Sequence, residues 1–473
     1  MEIQGYPPFI IFIVLGVGVP LAFLRPFAAF LFATFLLTAA DTAMFNKTRT
    51  AMLGPFLNLA DTCVLLALIA LFFEKFRTKE PFRLPQVIAL MLFVLAIAAA
   101  QSLWRFGFTH NTMGPIRYAV EVPIAYFLGA NFVTSTARAR KLIATLLCGA
   151  VAAAVQHILF VATIWRSKDL SMDTYNLMRT ITFWAGCMSS AFLLSGIFWR
   201  MPADTMKKGL CVAAALLFLA TLFLNQTRSL WIATAGAVPV LMLVSKRGDW
   251  MRVSARLAVG GVAIVLFLSA LCQYLMPGLN ISRLAGHRIA TLLSVDAMAS
   301  GAGSRQRAFH IEMRDWLDGT MVMGRGLSFF QVYEEGTSRD PSRKVAFAHL
   351  GYITYLSQLG VIGLLVYGFY LPLGVFRNGL WLWHYAEPPV LCYLGLLGIA
   401  SIVCLSIMFL MSSQFLGVGS FAPGVLYGAV WAAVRWHRTE LLSAAVPDYG
   451  VSEELCRTDA ASQNWIGSNE QVL

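Results

Sequence analysis

Charge is what this sequence has least of. Only 13% of its residues are Asp, Glu, Lys or Arg, while 58% are hydrophobic; a soluble globular chain carries about a quarter charged. That shortage excludes an ordinary soluble domain. Metal and nucleotide signatures are missing too. There is no CxxC, no HExxH, no cluster of Cys with His and no Walker A string, so nothing points to a structural zinc, a zincin or a P-loop. Of the eight cysteines, Cys63, Cys148, Cys187, Cys211, Cys272, Cys392 and Cys404 fall in apolar runs and Cys456 in the C-terminal tail. None lies in the one long polar loop, which excludes a disulfide framework there.

Long apolar runs take the place of charge. They lie near 8–24, 27–45, 54–73, 84–102, 115–134, 141–165, 176–199, 208–224, 229–245, 256–276, 350–374, 388–410 and 414–435. Each approaches the ~20 residues that a helix needs to cross about 30 Å of hydrocarbon, and none has the short alternation of a barrel strand. The fold class is therefore all-α, a polytopic transmembrane bundle of 12–13 helices. The count turns on the first pair, which only Arg25 and Pro26 separate. No basic residue precedes the first run and no small-residue cleavage site follows it, so it reads as an anchor and not a removable signal.

Lys and Arg orient the bundle. One set of connections carries Lys75, Arg77, Lys79 and Arg83, then Arg138, Arg140 and Lys141, then Arg200, Lys207 and Lys208, then Lys246, Arg247, Arg252 and Arg256. The alternate set is poorer, with Lys47 and Arg49, Arg105, Arg166 and Lys168, and Arg228. The positive-inside rule makes the first set cytoplasmic. The expected organisation is N-terminal membrane helices over 1–276, a periplasmic loop over 277–348, C-terminal helices over 349–435 and a cytoplasmic tail over 436–473. The net charge of +12 spreads over the cytoplasmic loops, which fits contact with anionic lipid headgroups and no nucleic acid.

Within the loop, GSRQRAFHIEMRDWLDG (303–319) has the pattern of an amphipathic helix. Ser304 is placed as an N-cap, Phe309, Met313 and Trp316 form an apolar stripe, and Arg307, His310 and Arg314 share another face, with Arg305 just before them. The bland reading is a helix lying on headgroups. The sharper one is a clamp for a phosphorylated lipid, because Arg meets phosphate oxygens bidentately and stays charged. Arg228 sits in a short turn on the same expected side, where a charge pressed between helices is costly unless it faces a cavity. His349 stands at the junction of the loop and an almost uncharged helix. Asp61, and Arg117 with Glu121 at i and i+4, are polar residues inside apolar spans; that spacing permits a helix ion pair.

Three strings resemble the elements of the O-antigen ligase and polymerase superfamily. TRSLWIATAGAVPVL (227–241) looks like its SRxxWL element. SRQRAFHIEMRDWLDGTMVMGRGLSFF (304–330) looks like its R…W…hPxxGxG element, with Arg305 as the first Arg and Gly324 and Gly326 as the glycine pair. AHLGYITYLSQLGVIGLLVYG (348–368) looks like HNxYLxxLxxxGxxGLL, matching at His349, Tyr352, Leu356, Gly360 and Gly363. The chain departs from the pattern at Leu350, where Asn is usual after the His, at Phe309, and at Arg325 between the glycines.

The resemblance implies glycan transfer from an undecaprenyl-diphosphate carrier to an acceptor, lipid A core or a growing polysaccharide, at the periplasmic face of the inner membrane. Under it, His349 is the catalytic residue, and Arg228 and Arg305, with Arg307, bind the donor diphosphate. Arg179, Arg314, His310 and Tyr352 are secondary candidates. No metal site and no cofactor are expected. Ligation and polymerisation share this donor chemistry, so both stay open, with a lipid-linked glycan transporter or flippase as the third possibility. A transporter would tend to show internal repeats, and none is visible in the sequence.

Overall fold

A computed structural model describes residues 9–39, 52–53, 57–107, 110–167, 183–199, 205–225, 227–245, 250–275, 309–310, 313–314, 316–317, 321–327, 351–410 and 421–445. The architecture is an all-α polytopic bundle. Its helices are α1 (Phe9–Leu24), α2 (Pro26–Ala39), α3 (Leu59–Thr78), α4 (Gln86–Phe106), α5 (His110–Phe132), α6 (Thr136–Ser167), α7 (Phe183–Phe198), α8 (Thr205–Leu224), α9 (Arg228–Val244) and α10 (Trp250–Leu275). After the loop come α11 (Gly351–Gly363), a π-helical stretch (Leu364–Tyr370), α12 (Leu371–Tyr385), α13 (Pro389–Phe409) and α14 (Phe421–Ala445). A two-residue antiparallel ladder pairs Met52 with Asn58 and Leu53 with Leu57.

Among the described residues each apolar run contains a helix, and α1 and α2 are separate, with Pro26 at the first helical position of α2, where its missing N–H costs nothing. Among the described residues, six helical segments are long and apolar enough to cross a membrane: α4, α6, α8, α10, the continuous rod 351–385 and α13. Five more, α1, α2, α5, α7 and α9, contain shorter apolar stretches. Large side chains such as Phe72, Trp104, Leu243 and Val259 are exposed, as expected for a surface solvated by lipid and not by water.

Two spans run well past their expected C-terminal ends. The run ending near 374 continues to Tyr385; Pro372 falls in the first turn of α12, where a missing N–H is tolerated. The last helix passes 435 and ends at Ala445. Its polar end is held in place: Arg435 lies 5.0 Å from the Trp431 ring, Arg438 lies 4.9 Å from the Trp381 ring, and His437 Nδ1 is 3.7 Å from Glu440 Oε2. These cation–π contacts carry the helix beyond its apolar segment.

Helices in lipid gain little from the hydrophobic effect against one another, so close contact through small residues does the work. Gly424 and Gly428 of α14, at i and i+4, face Ala125, Tyr126 and Ala130 of α5. A Cβ on Gly428 would lie 2.0 Å from the Tyr126 carbonyl oxygen, so the two backbones touch there. α13 is the central helix, packing on α7, α9, α12 and α14.

Polar staples complete the bundle. Arg117 on α5 reaches with its Nη1 across to Asp61 Oδ2 on α3 at 2.9 Å. Asp61 is on the neighbouring helix, so this pairing ties two helices where an i, i+4 pair would tie only one. At the basic end, Arg138 pairs with Glu74 and lies over the Phe27 ring at 4.9 Å. Asn131 accepts from the Arg83 N–H and donates to the Arg83 carbonyl, both at 2.8 Å.

Gly428→Val is expected to destabilise the protein by about 1–3 kcal/mol or more, the range for overpacking a filled contact. Gly374→Ala, where an added Cβ meets nothing within 4 Å, is the control. Thermal unfolding in detergent should separate the two, and equal midpoints would refute the α5–α14 contact.

Candidate functional site

The segment MVMGRGL (321–327) folds back onto α11 and explains why that helix is broken. At Gly360 the backbone takes φ 71° and ψ −170°, which ends the regular hydrogen-bond ladder inside an apolar rod. Irregular backbone at such a depth is tolerated only when other groups satisfy it. Here the loop segment does so. The N–H groups of Val361 and Ile362 donate to the carbonyls of Met321 (3.1 Å) and Val322 (3.4 Å), and the N–H groups of Arg325 and Gly326 donate to those of Ser357 (2.8 Å) and Gln358 (3.0 Å).

Only glycine fits this lock. Gly324 (φ 69°), Gly326 (φ 98°) and Gly360 (φ 71°) all occupy positive φ, a region costly for residues with a Cβ. A Cβ on Gly324 would come 2.4 Å from the Gln358 oxygen, and one on Gly360 would come 2.2 Å from the Val322 oxygen. Gly326 is pressed against Ser102 of α4, and Arg105 at the end of α4 donates from Nη1 to the Arg325 carbonyl at 3.2 Å. Trp316 adds a bond from its ring N–H to the Met321 carbonyl at 2.9 Å. The glycine pair and the Trp of one sequence string are thereby joined to the Gly360 of another.

After the break the rod continues as a π-helix, in which Tyr367 is fully buried and stacks on Tyr355 with ring centroids 5.7 Å apart. π-segments inside α-helices recur at functional sites. Tyr352 faces α13: its hydroxyl donates to the Ser406 carbonyl at 3.4 Å, and its ring meets Phe409 at 6.0 Å. On the other flank of α13, Gly236 of α9 lies against Ile407. So α13 stands between α9, which begins at Arg228, and α11, which begins two residues after His349.

The turn into α9 is shaped by aromatic packing. Phe223 and Trp231 stack at 5.7 Å, and the Trp231 ring N–H donates to the Leu222 carbonyl at 2.7 Å. Thr227 is the N-cap, with extended φ and ψ and no side-chain cap bond. Of the sequence-derived site residues, Arg228 is described only along its backbone, at the first position of α9, and His349, Arg305, Arg307 and Arg179 lie outside the described residues. His310 and Arg314 are helical and exposed, and His310 meets the Phe309 ring edge-on at 5.7 Å. Most of the expected helix 303–319 lies outside the described residues.

Sequence reasoning missed the α4 contribution. Arg105 read only as a loop charge, and Gln101 did not register at all. Yet Gln101 carries a buried Oε1 with no hydrogen-bond partner among the described residues, one residue from the Ser102 contact with Gly326. The one available signal was a Gln, Ser and Arg at the end of an otherwise apolar run.

The lock makes a definite exchange pattern. The Val361 and Ile362 amides, although just past a helix break, should be protected from deuterium in nanodiscs. Gly324→Val should speed their exchange by at least about tenfold, since roughly 1.4 kcal/mol lost from local stability does that, and Gly374→Ala should not.

Residues 213–368 match the family model described as O-antigen ligase. No curated protein matches the chain. The matched stretch starts in α8, takes in the α8–α9 turn and the glycine-locked break, and ends in the π-helix. The match supports, at a coarse level, glycan transfer of the ligase or polymerase type by a multi-pass membrane protein. Over residues 213–368 the chain is similar to the O-antigen ligase family, in agreement with the resemblance carried by its three sequence strings.

Proposed function

We propose that the protein transfers a glycan from an undecaprenyl-diphosphate carrier to an acceptor sugar at the periplasmic face of the inner membrane, as in ligation to lipid A core. The observation that carries this reading is the match over 213–368 together with the lock inside it. The lock ties the loop that bears Arg305 and Arg307 to the helix that follows His349.

The chemistry follows from the donor. An acceptor hydroxyl oxygen forms a bond to the anomeric carbon while the bond from that carbon to the diphosphate oxygen breaks on the opposite face, inverting the configuration. Negative charge grows on the departing diphosphate, and fixed cations in a site of low dielectric stabilise it. Arg228 and Arg305, with Arg307, take that role, without a metal ion. His349 holds the acceptor hydroxyl in line and takes its proton; an ordinary imidazole pKa of roughly 6.5 suits a base at neutral pH. Tyr352, Arg179, His310 and Arg314 are secondary candidates for contacts to donor or acceptor. A polymerase would run the same steps with a second carrier-linked glycan as acceptor.

In purified protein supplied with undecaprenyl-diphosphate oligosaccharide, acceptors and chelator, undecaprenyl diphosphate should be released. His349→Ala should lower the rate by about 10²–10⁴, and Arg228→Ala or Arg305→Ala by about 10²–10³, with the protein still folded in the membrane. The acceptor that supports release separates ligase from polymerase. Movement of the lipid-linked glycan between leaflets without release would instead mark a transporter. In whole cells, Ser338→Cys should react with an impermeant thiol reagent added outside; labelling only after permeabilisation would put the loop on the wrong side for this mechanism.

A further inference from the structure

A cavity of about 260 Å³ opens at the end of the bundle opposite the glycine lock, lined by Arg140, Ile143, Trp199, Pro389, Val390 and Tyr393. It lies where the start of α6, the end of α7 and the start of α13 meet. These are the ends that carry the basic connections.

Its walls divide into two kinds. Ile143, Pro389 and Val390 are apolar and accept hydrocarbon. Trp199 and Tyr393 form the shoulder and are held rigidly: the Trp199 ring meets Tyr393 edge-on at 5.3 Å and Trp383 at 5.9 Å. Arg256 donates to the carbonyls of Ile197 and Trp199, fixing the end of α7. Trp and Tyr gather at the level of lipid headgroups because one part of each ring system is apolar and another hydrogen-bonds. Trp381, Trp383 and Tyr385 stand at the end of α12, where Trp381 meets His437 and Arg438 of α14.

Arg140 is the charge at the mouth. Its neighbour Arg138 is committed to Glu74 and to the Phe27 ring. Arg140 is exposed and makes no ion pair among the described residues. The acidic residue closest in sequence to the cavity's α13 wall, Glu387, is exposed and is likewise in no ion pair among them. An uncommitted guanidinium above an apolar slot, framed by interfacial aromatics, complements a phosphodiester with acyl chains attached.

We infer that this cavity binds an anionic phospholipid of the leaflet at the basic end, its phosphate on Arg140 and an acyl chain along Ile143 and Val390. A free phosphate would use only the arginine and leave the apolar walls empty, so the lipid is the occupant that uses both. The bound lipid fills the gap between α6, α7 and α13 and acts as a packing element far from the glycan-transfer site.

The test is native mass spectrometry of the full chain in detergent, titrated with phosphatidylglycerol or phosphatidylcholine. Phosphatidylglycerol should bind as one adduct about tenfold more tightly than phosphatidylcholine, whose choline cation already neutralises its phosphate and weakens the charge-assisted contact to Arg140. Arg140→Gln should erase that preference and Arg140→Lys should keep part of it. Ile143→Trp, which fills the slot, should remove the adduct whatever the headgroup. Equal retention of the two lipids by the wild-type chain, unchanged phosphatidylglycerol binding by Arg140→Gln, or displacement by millimolar inorganic phosphate would overturn the assignment. Should Ile143→Trp fail to fold, the two Arg140 variants still decide.

Discussion

A backbone that breaks inside a membrane helix must find new hydrogen-bond partners, because hydrocarbon supplies none and each orphaned group costs several kcal/mol. In this protein that constraint binds the loop to the bundle. The break at Gly360 leaves donors at Val361 and Ile362 and acceptors at Ser357 and Gln358, and the turn 321–327 satisfies all four. Loop and helix cannot be altered separately. The turn needs the glycines to approach closely enough, and the helix needs the turn to remain broken.

That lock fixes the position of the residues around it. The Arg325 carbonyl receives Arg105 from α4, and the Met321 carbonyl receives Trp316. Charged and aromatic groups from separate parts of the chain are therefore referenced to one rigid junction. A site that must hold a diphosphate and orient a hydroxyl benefits from such rigidity, since misplacement by about 1 Å can cost two orders of magnitude in rate. α13 extends the frame by packing on α9 at one flank and meeting Tyr352 and Tyr355 of α11 at the other.

The two ends of the bundle solve different problems. One brings irregular backbone and arginines together around the junction at α11. The other carries most of the basic connections and is finished with Trp, Tyr and paired charges, including Arg138 with Glu74 and Lys75 with Glu80 at 3.0 Å. The Lys75 bond holds the Glu80 carboxyl below its usual range, so that contact favours folding above the ordinary carboxylate pKa and fades as pH falls through the lowered one. Glu80 is half exposed, which keeps the effect small.

Hydropathy by itself determined the class of fold and the helices from α1 to α14, because a long apolar run has one stable form in lipid whatever its neighbours are. The resemblance to a family came from the Arg228, Arg305 and His349 strings, which are local and ordered along the chain. Hydropathy could not reveal that 350–374 is broken, because Gly360 in an apolar run reads equally as a packing glycine. Nor could it pair Arg117 with Asp61, or place Arg105 and Gln101 beside Gly326. Those outcomes depend on which helix lies next to which, and small residues such as Gly428 decide that through contacts between backbones distant in sequence. The period of a helix records only which of its own residues share a face; the partner of that face is settled when the bundle closes.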